Sequence, residues 1–175
     1  MQYLALAIRC LIGAVFLTSA VSKVAGPDRF AIFLASVREM RVLPTGLARP
    51  AAWVVVAGEF VICGLLVVPA GQAAVAGFTI AAGLLTTFAA AIVGAVRQGR
   101  RTSCRCFGPT VAPLGYRHAV RNVALAGFAV VGAMTATASR PTDVGAMLLA
   151  AFVGLVLSVP VIALDDIVQL YRASA

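Results

Sequence analysis

The sequence predicts an all-α membrane protein, a bundle of about five transmembrane helices in one domain. Of its 175 residues, 62% are hydrophobic and only 11% are charged, and the mean hydropathy is +1.02. Soluble domains contain about 45–50% apolar residues, so this composition excludes an ordinary water-soluble globule. The apolar residues are also gathered into long runs, which is the pattern of membrane-spanning helices.

Five apolar runs are the predicted spans, and they cover residues 4–21, 51–68, 73–96, 122–138 and 144–164. Each run is close to the roughly 20 residues that a helix needs to cross a bilayer. Backbone groups inside the bilayer must be bonded within the segment, and no run alternates as a barrel strand does, so we expect helices. Residues 1–175 then form a single integral membrane domain, with a short polar tail after residue 164.

The loop between the first two runs contains one more predicted helix, beginning near Pro27. Phe30, Phe33, Leu34 and Val37 follow the i, i+3, i+4, i+7 spacing of an amphipathic helix. Charged residues take the opposite side. We therefore expect an interfacial helix in the headgroup plane.

Basic residues set the predicted orientation. The segment 22–50 holds five of the 14 Lys and Arg residues, the segment 97–121 holds six, and the polar tail holds one. An excess of Lys and Arg is typical of cytoplasmic loops, so the N-terminus is expected outside and both loops in the cytoplasm, in a bacterial-type inner membrane. The net charge of +8 is then explained by orientation and lipid headgroups, and no nucleic-acid partner is expected.

The first run also admits a different interpretation. Thr18, Ser19 and Ala20 are small residues of the kind that precede the cleavage site of a secretory signal peptide. The run has no basic residue before it and is interrupted by Arg9, so we favour a retained helix. Arg9 itself is expected to snorkel to the outer interface.

The second basic loop contains a Cys-x-Cys pair, Cys104 and Cys106. Two thiols this close form a disulfide only in a small strained ring, and strained disulfides are more oxidising and more labile than structural ones. The cations Arg100, Arg101 and Arg105 favour the reactive thiolate form. We expect a redox-active pair.

A soft-metal site and a pair of inert cysteines are the alternatives for this loop. A metal requires more ligands than the chain offers, because His118 is its only histidine and the other two cysteines lie in predicted helices. No metal is therefore expected, and His118 is interpreted as a loop residue without a special role.

Cys10 and Cys63 are a possible second redox pair. They lie about seven and six residues from the outer ends of the first and second runs, roughly 10 Å below the outer surface. If they pair, a dithiol near each side of the membrane suits electron transfer by thiol-disulfide exchange. The alternative is that each is a small apolar residue in its helix.

Glu59 is predicted near the bilayer centre, where a charge is costly unless it is paired or protonated. Lys23, at the inner end of the first helix, and Arg121, near the start of the fourth, are its expected partners. The group then either fixes helix packing as an ion pair or takes part in proton handling or quinone binding.

Between about residue 8 and residue 130 the sequence resembles the MauE branch of the DoxX-like membrane proteins. The matching features are short motifs at the ends of the apolar runs and one buried acid. They are Ser22-Lys23, Gly26-Pro27-Asp28 with the following helix, Leu43-Pro44, Glu59, Cys104-Arg105-Cys106-Phe107-Gly108 and Arg121-Asn122. The Cys-x-Cys-Phe-Gly element is the most specific, although the family more often has glycine at the position of Arg105. Cys10 and Cys63 are not part of the family pattern.

The resemblance implies a four-helix DoxX-like core plus one helix, acting beside a thioredoxin-like partner to form or isomerise disulfides in exported proteins. In the family's original context the target is the small subunit of methylamine dehydrogenase. The implied activity is that of a thiol-disulfide oxidoreductase, with no bound cofactor required. Two alternatives stay open: a quinone-linked oxidoreductase subunit with Glu59 and Arg121 at the quinone, and a non-catalytic maturation scaffold.

Overall fold

The computed structural model describes residues 1–40, 42–44, 46–98, 103–104, 112–113, 115–137 and 143–173. Side chains are described in the helices up to residue 164. The elements in chain order are α1 (Gln2–Val24), α2 (Arg29–Met40), α3 (Ala48–Val67), α4 (Gly71–Arg97), β1 (Ser103–Cys104), β2 (Ala112–Pro113), α5 (Tyr116–Thr135) and α6 (Val144–Ala173).

Five of these helices have the length and apolar composition of membrane spans: α1, α3, α4, α5 and the part of α6 from Val144 to Leu164. This confirms the predicted all-α bundle of five spans. The segment between α4 and α5 adds a two-residue antiparallel pair, in which Cys104 of β1 faces Ala112 of β2.

Two helix boundaries differ from the prediction. α5 begins at Tyr116, six residues before the predicted start, and His118 is a buried helical residue rather than a loop residue. The apolar run begins late because the first turns of α5 carry polar side chains, and His118, Arg121 and Asn122 among them are buried within the bundle. At the other end of the chain, the backbone of α6 continues through Pro160 to Ala173, where a polar tail was predicted.

The main apolar core lies between α1, α3, α4 and α5. It is centred on fully buried residues such as Ile12, Ile62 and Phe78, which face one another from the first three of these helices, and Ala129 closes it from α5. α6 packs on α1, and only 11% of its apolar window is buried. The architecture is therefore a four-helix core with one peripheral span.

α2 is the predicted amphipathic helix, and its apolar side packs on α3. Phe33 is buried against Ala52 and Val56, and the Phe30 ring stacks on Trp53 with 4.4 Å between ring centroids. At its other end, Met40 is buried with residues from the end of α4 and the start of α5. α2 thus braces the same end of the bundle from which the Cys104 segment extends.

Glycines permit the closest helix contacts. A Cβ atom at Gly132 would lie 2.7 Å from the Phe78 ring, and one at Gly154 would overlap the Ala7 carbonyl oxygen and lie 3.0 Å from Cys10 Cβ. The contact at Gly154 involves rigid backbone, so it leaves no room for a side chain between α6 and α1.

We predict that Gly154→Ala lowers the free energy of unfolding by about 1–3 kcal/mol, because the added methyl group must push α6 away from α1. Gly83→Ala on α4 is the matched control, since nothing lies within 4 Å of a Cβ atom at that position. The control should be neutral or stabilising by up to about 1 kcal/mol, because alanine is the better helix former. Unfolding in mixed detergent micelles measures both, and equal values for the two variants would contradict the contact.

Candidate functional site

Three buried polar side chains form a charged triad between α1 and α3: Ser19, Lys23 and Glu59. The Lys23 Nζ atom donates to both carboxylate oxygens of Glu59, at 2.7 and 3.0 Å. The Ser19 hydroxyl donates to Glu59 Oε1 at 2.8 Å and accepts from Lys23 Nζ at 2.6 Å. Lys23 and Glu59 are each only 2% exposed, so the pair is shielded from both water and lipid.

Local sequence explains how the triad assembles. Ser19 and Lys23 are four residues apart on α1, and residues at this spacing lie on one face of a helix. Both point towards α3, where Glu59 lies on the buried side with Val56 and Ile62. The sequence predicts Lys23 as a partner of Glu59, and the structure shows this pair. The contribution of Ser19 is not predicted, because a serine in an apolar run gives no signal of its own.

The triad also reaches α2. The Lys23 Nζ atom lies 5.0 Å from the centre of the Phe33 ring, within the range of a cation–π contact. Phe33 is the residue through which α2 is buried against α3. One ammonium group therefore joins three helices, α1, α2 and α3.

Arg121, the second predicted partner of Glu59, lies buried on α5. Its Nη1 atom donates to the Val161 carbonyl oxygen of α6 at 3.5 Å. The ion pair of Glu59 in the described part of the chain is with Lys23. His118, one turn before Arg121, is also buried, and its Nε2 atom accepts a hydrogen bond from Arg117 Nε at 3.4 Å.

Cys10 and Cys63 are free, half-buried thiols that line one cavity between α1 and α3. Cys63 Sγ lies 3.9 Å from the Gly13 carbonyl oxygen of α1, and Cys10 lies beside Gly154 of α6. Their action as a second redox pair stays a prediction. Arg9, in the same cavity, donates to the carbonyl oxygens of Leu66 and Val68 near the end of α3. Its snorkelling to the outer interface stays a prediction.

The Cys-x-Cys prediction falls mostly outside the described residues. Cys104 is described by its backbone in β1, whereas Cys106 and the three arginines Arg100, Arg101 and Arg105 lie outside the described ranges. Among the side chains that the structure describes, no group of three or more His, Cys, Asp or Glu residues is placed to bind a metal ion.

The fold and the triad define a multi-pass membrane protein: a five-span helical bundle that associates with the lipid bilayer and contains a buried ion pair between α1 and α3. The chain belongs to the methylamine utilisation protein MauE family, whose family model matches residues 1–135. The match covers α1 to the end of α5 and confirms the family predicted from the sequence. Comparisons with curated proteins and with solved structures each give no match.

We predict that Lys23→Met and Glu59→Met each lower the free energy of unfolding by about 3–5 kcal/mol, because each leaves one buried charge without its partner. The double variant should be much less destabilised than the sum of the two single variants. A double-mutant cycle of unfolding free energies measures this coupling.

Arg38→Met provides the matched control for loss of a cation, because Arg38 lies on the exposed side of α2. It should change the unfolding free energy by no more than about 0.5 kcal/mol. If the losses of unfolding free energy in Lys23→Met and Glu59→Met simply add in the double variant, the two side chains are not coupled.

Proposed function

We propose that this protein is a membrane thiol-disulfide oxidoreductase that uses Cys104 and Cys106 to exchange reducing or oxidising equivalents with a thioredoxin-like partner. Its role would be the maturation of exported proteins that contain disulfides. The observation that carries the proposal is the Cys-Arg-Cys-Phe-Gly sequence at residues 104–108 in a chain of the MauE family.

The exchange requires no bound cofactor. A thiolate of the Cys104/Cys106 pair attacks one sulfur of a partner disulfide, forms a mixed disulfide and releases the other partner sulfur as a thiolate. The second cysteine of the pair then attacks the mixed disulfide. This step closes the Cys104–Cys106 bond and releases the partner as a dithiol, so two electrons and two protons pass to the partner. The reverse sequence oxidises the partner.

The positive charges beside the cysteines, and the backbone pairing of β1 with β2, support a reactive pair. Arg100, Arg101 and Arg105 supply three positive charges within a few residues of the thiols, which favours the thiolate. Cys104 lies in β1, which pairs with β2. Met40 of α2 packs against the end of α4 and the start of α5, the two helix ends between which this segment lies in the sequence.

The proposed orientation follows from the basic residues. With the N-terminus outside, the segments 22–50 and 97–121 face the cytoplasm and the Cys104/Cys106 pair meets a cytoplasmic thioredoxin-like protein in a bacterial-type inner membrane. Cys10 and Cys63 then lie towards the outer face, as a possible second dithiol. The family's description supports a link to methylamine utilisation, where the small subunit of methylamine dehydrogenase would be the exported target.

The observations favour this function over a quinone-linked one at Glu59. Both carboxylate oxygens of Glu59 already accept hydrogen bonds from Lys23, and Oε1 accepts one from Ser19 as well. Arg121 lies on α5 and makes a hydrogen bond to the Val161 carbonyl oxygen of α6. A quinone at this position would have to displace the triad that joins three helices.

We predict that Cys104→Ser and Cys106→Ser each reduce thiol-disulfide exchange with a thioredoxin-like protein to the background rate, because neither single thiol closes the disulfide. One of the two variants should trap the partner as a mixed disulfide. Thiol-disulfide exchange assays with the purified protein in vesicles measure the rate. Non-reducing gel electrophoresis of the same samples detects the mixed disulfide.

Thr86→Ser, at an exposed position of α4, is the control, because this helix contains none of the four cysteines. Cys63→Ser instead tests whether the possible second dithiol takes part. Alkylation of intact cells and of inverted vesicles with a membrane-impermeant maleimide tests the orientation. Labelling of Cys104 and Cys106 only after reduction, and only in inverted vesicles, is the expected result. Unchanged exchange in both loop variants would overturn the redox function and favour a quinone-linked subunit or a maturation scaffold.

A further inference from the structure

The cavity that contains Cys10 and Cys63 is large enough to hold a lipid acyl chain. Its volume is about 1340 Å³, larger than the about 300–1,000 Å³ of pockets that hold drug-sized ligands. Its lining on α1 runs from Gln2 to Leu17, a length of about 22 Å at 1.5 Å per residue. Along α1 the cavity is thus longer than the thickness of one bilayer leaflet, about 15 Å.

The wall of this cavity is mostly apolar. Leu6 and Leu17 of α1, Phe60 of α3 and Leu155 of α6 lie along it, and Pro69 marks the end at the turn between α3 and α4. An acyl chain fits such a surface, whereas a polar ligand would lose hydration without gaining hydrogen bonds.

Arg9 gives the cavity a positive charge near this turn. Its Nε and Nη2 atoms donate to the carbonyl oxygens of Leu66, in the last turn of α3, and of Val68, the residue that follows the helix. The dipole of a helix end supplies only about half a negative charge, so these contacts do not neutralise the guanidinium. Within the described part of the chain, the carboxylate that forms an ion pair is Glu59, and its partner is Lys23. A net positive charge therefore faces the cavity.

Arg9 lies partway along this lining, and eight residues of α1, about 12 Å, separate it from Leu17. A positive charge beside such an apolar surface is complementary to a molecule with an anionic head and a hydrocarbon tail. We propose that this cavity binds an anionic phospholipid, with its phosphate at Arg9 and an acyl chain along α1 between α3 and α6. This site is separate from the proposed thiol exchange, which takes place at the opposite end of the bundle.

The two thiols in the cavity wall report on occupancy. Cys10 and Cys63 are half-buried and free, and both line the cavity. A bound acyl chain covers them, so a membrane-permeant maleimide should alkylate them slowly when the site is filled and faster when it is empty. Mass spectrometry reads each cysteine separately and keeps these two apart from Cys104 and Cys106.

The experiment compares the full chain in vesicles of phosphatidylcholine alone and of phosphatidylcholine with phosphatidylglycerol. In the second membrane we expect slower alkylation of Cys10 and Cys63, and phosphatidylglycerol retained on the protein in native mass spectrometry. Arg9→Gln should raise the phosphatidylglycerol content needed for half protection by about tenfold, the effect of losing one charge-assisted hydrogen bond. Arg29→Gln, a matched charge loss at an exposed position of α2, should leave it unchanged.

A second variant tests the cavity without altering Arg9. Gly64 lines the cavity, and nothing lies within 4 Å of a Cβ atom at this position, so Gly64→Phe fills the space without a backbone clash. It should abolish retention of phosphatidylglycerol. Gly83→Phe, at an equally open glycine outside the lining, should retain the lipid.

Three results would overturn the proposal. Equal protection by phosphatidylcholine and phosphatidylglycerol would show that the cavity selects no headgroup. Protection by glycerol phosphate in the absence of phosphatidylglycerol would identify a free-anion site. Protection only by an added exported polypeptide would identify a peptide site. Thiol exchange at Cys104 and Cys106 is measured separately in the same vesicles. Failure of the lipid proposal therefore leaves the proposed redox function unaffected.

Discussion

The buried ion pair between Lys23 and Glu59 is the interaction on which the arrangement of the bundle depends. Two opposite charges in a hydrocarbon environment must find each other, because either one alone would be strongly disfavoured. α1 and α3 are thereby fixed in rotation as well as in position. Ser19 completes the hydrogen bonding of the carboxylate, and Phe33 covers the ammonium from outside the bundle. Apolar packing alone would leave more relative freedom, because helices in lipid gain little from burying further apolar surface.

This constraint extends towards the loop that carries Cys104. α2 is held at Phe33 by the pair and by α3, and at Met40 by the end of α4 and the start of α5. A helix that the sequence suggests as a membrane-surface element therefore also connects the ion pair with the ends of α4 and α5 that flank the Cys104 segment. The proposal that this segment is reactive comes from its Cys-x-Cys sequence and from the family relationship.

Sequence reasoning recovers those features that leave a local pattern. Five apolar runs predict five spans, and an acid in such a run predicts a cation partner, here Lys23 rather than Arg121. The early start of α5 was missed because hydropathy detects lipid-facing residues and not the buried polar turn at His118. The contact of Gly154 with Ala7 was not predictable, since it depends on which helices are neighbours, and a single glycine in an apolar run has many uses.

α6 lies beyond the region that the family model matches, and it raises the number of membrane spans from four to five. Four crossings would return the chain to the side from which it started. The second half of α6 lies at the end of the bundle where α5 begins, because Arg121 contacts the Val161 carbonyl oxygen there. The helical extension to Ala173 continues from this end, so a tag or a tethered domain fused to it would crowd the first turns of α5.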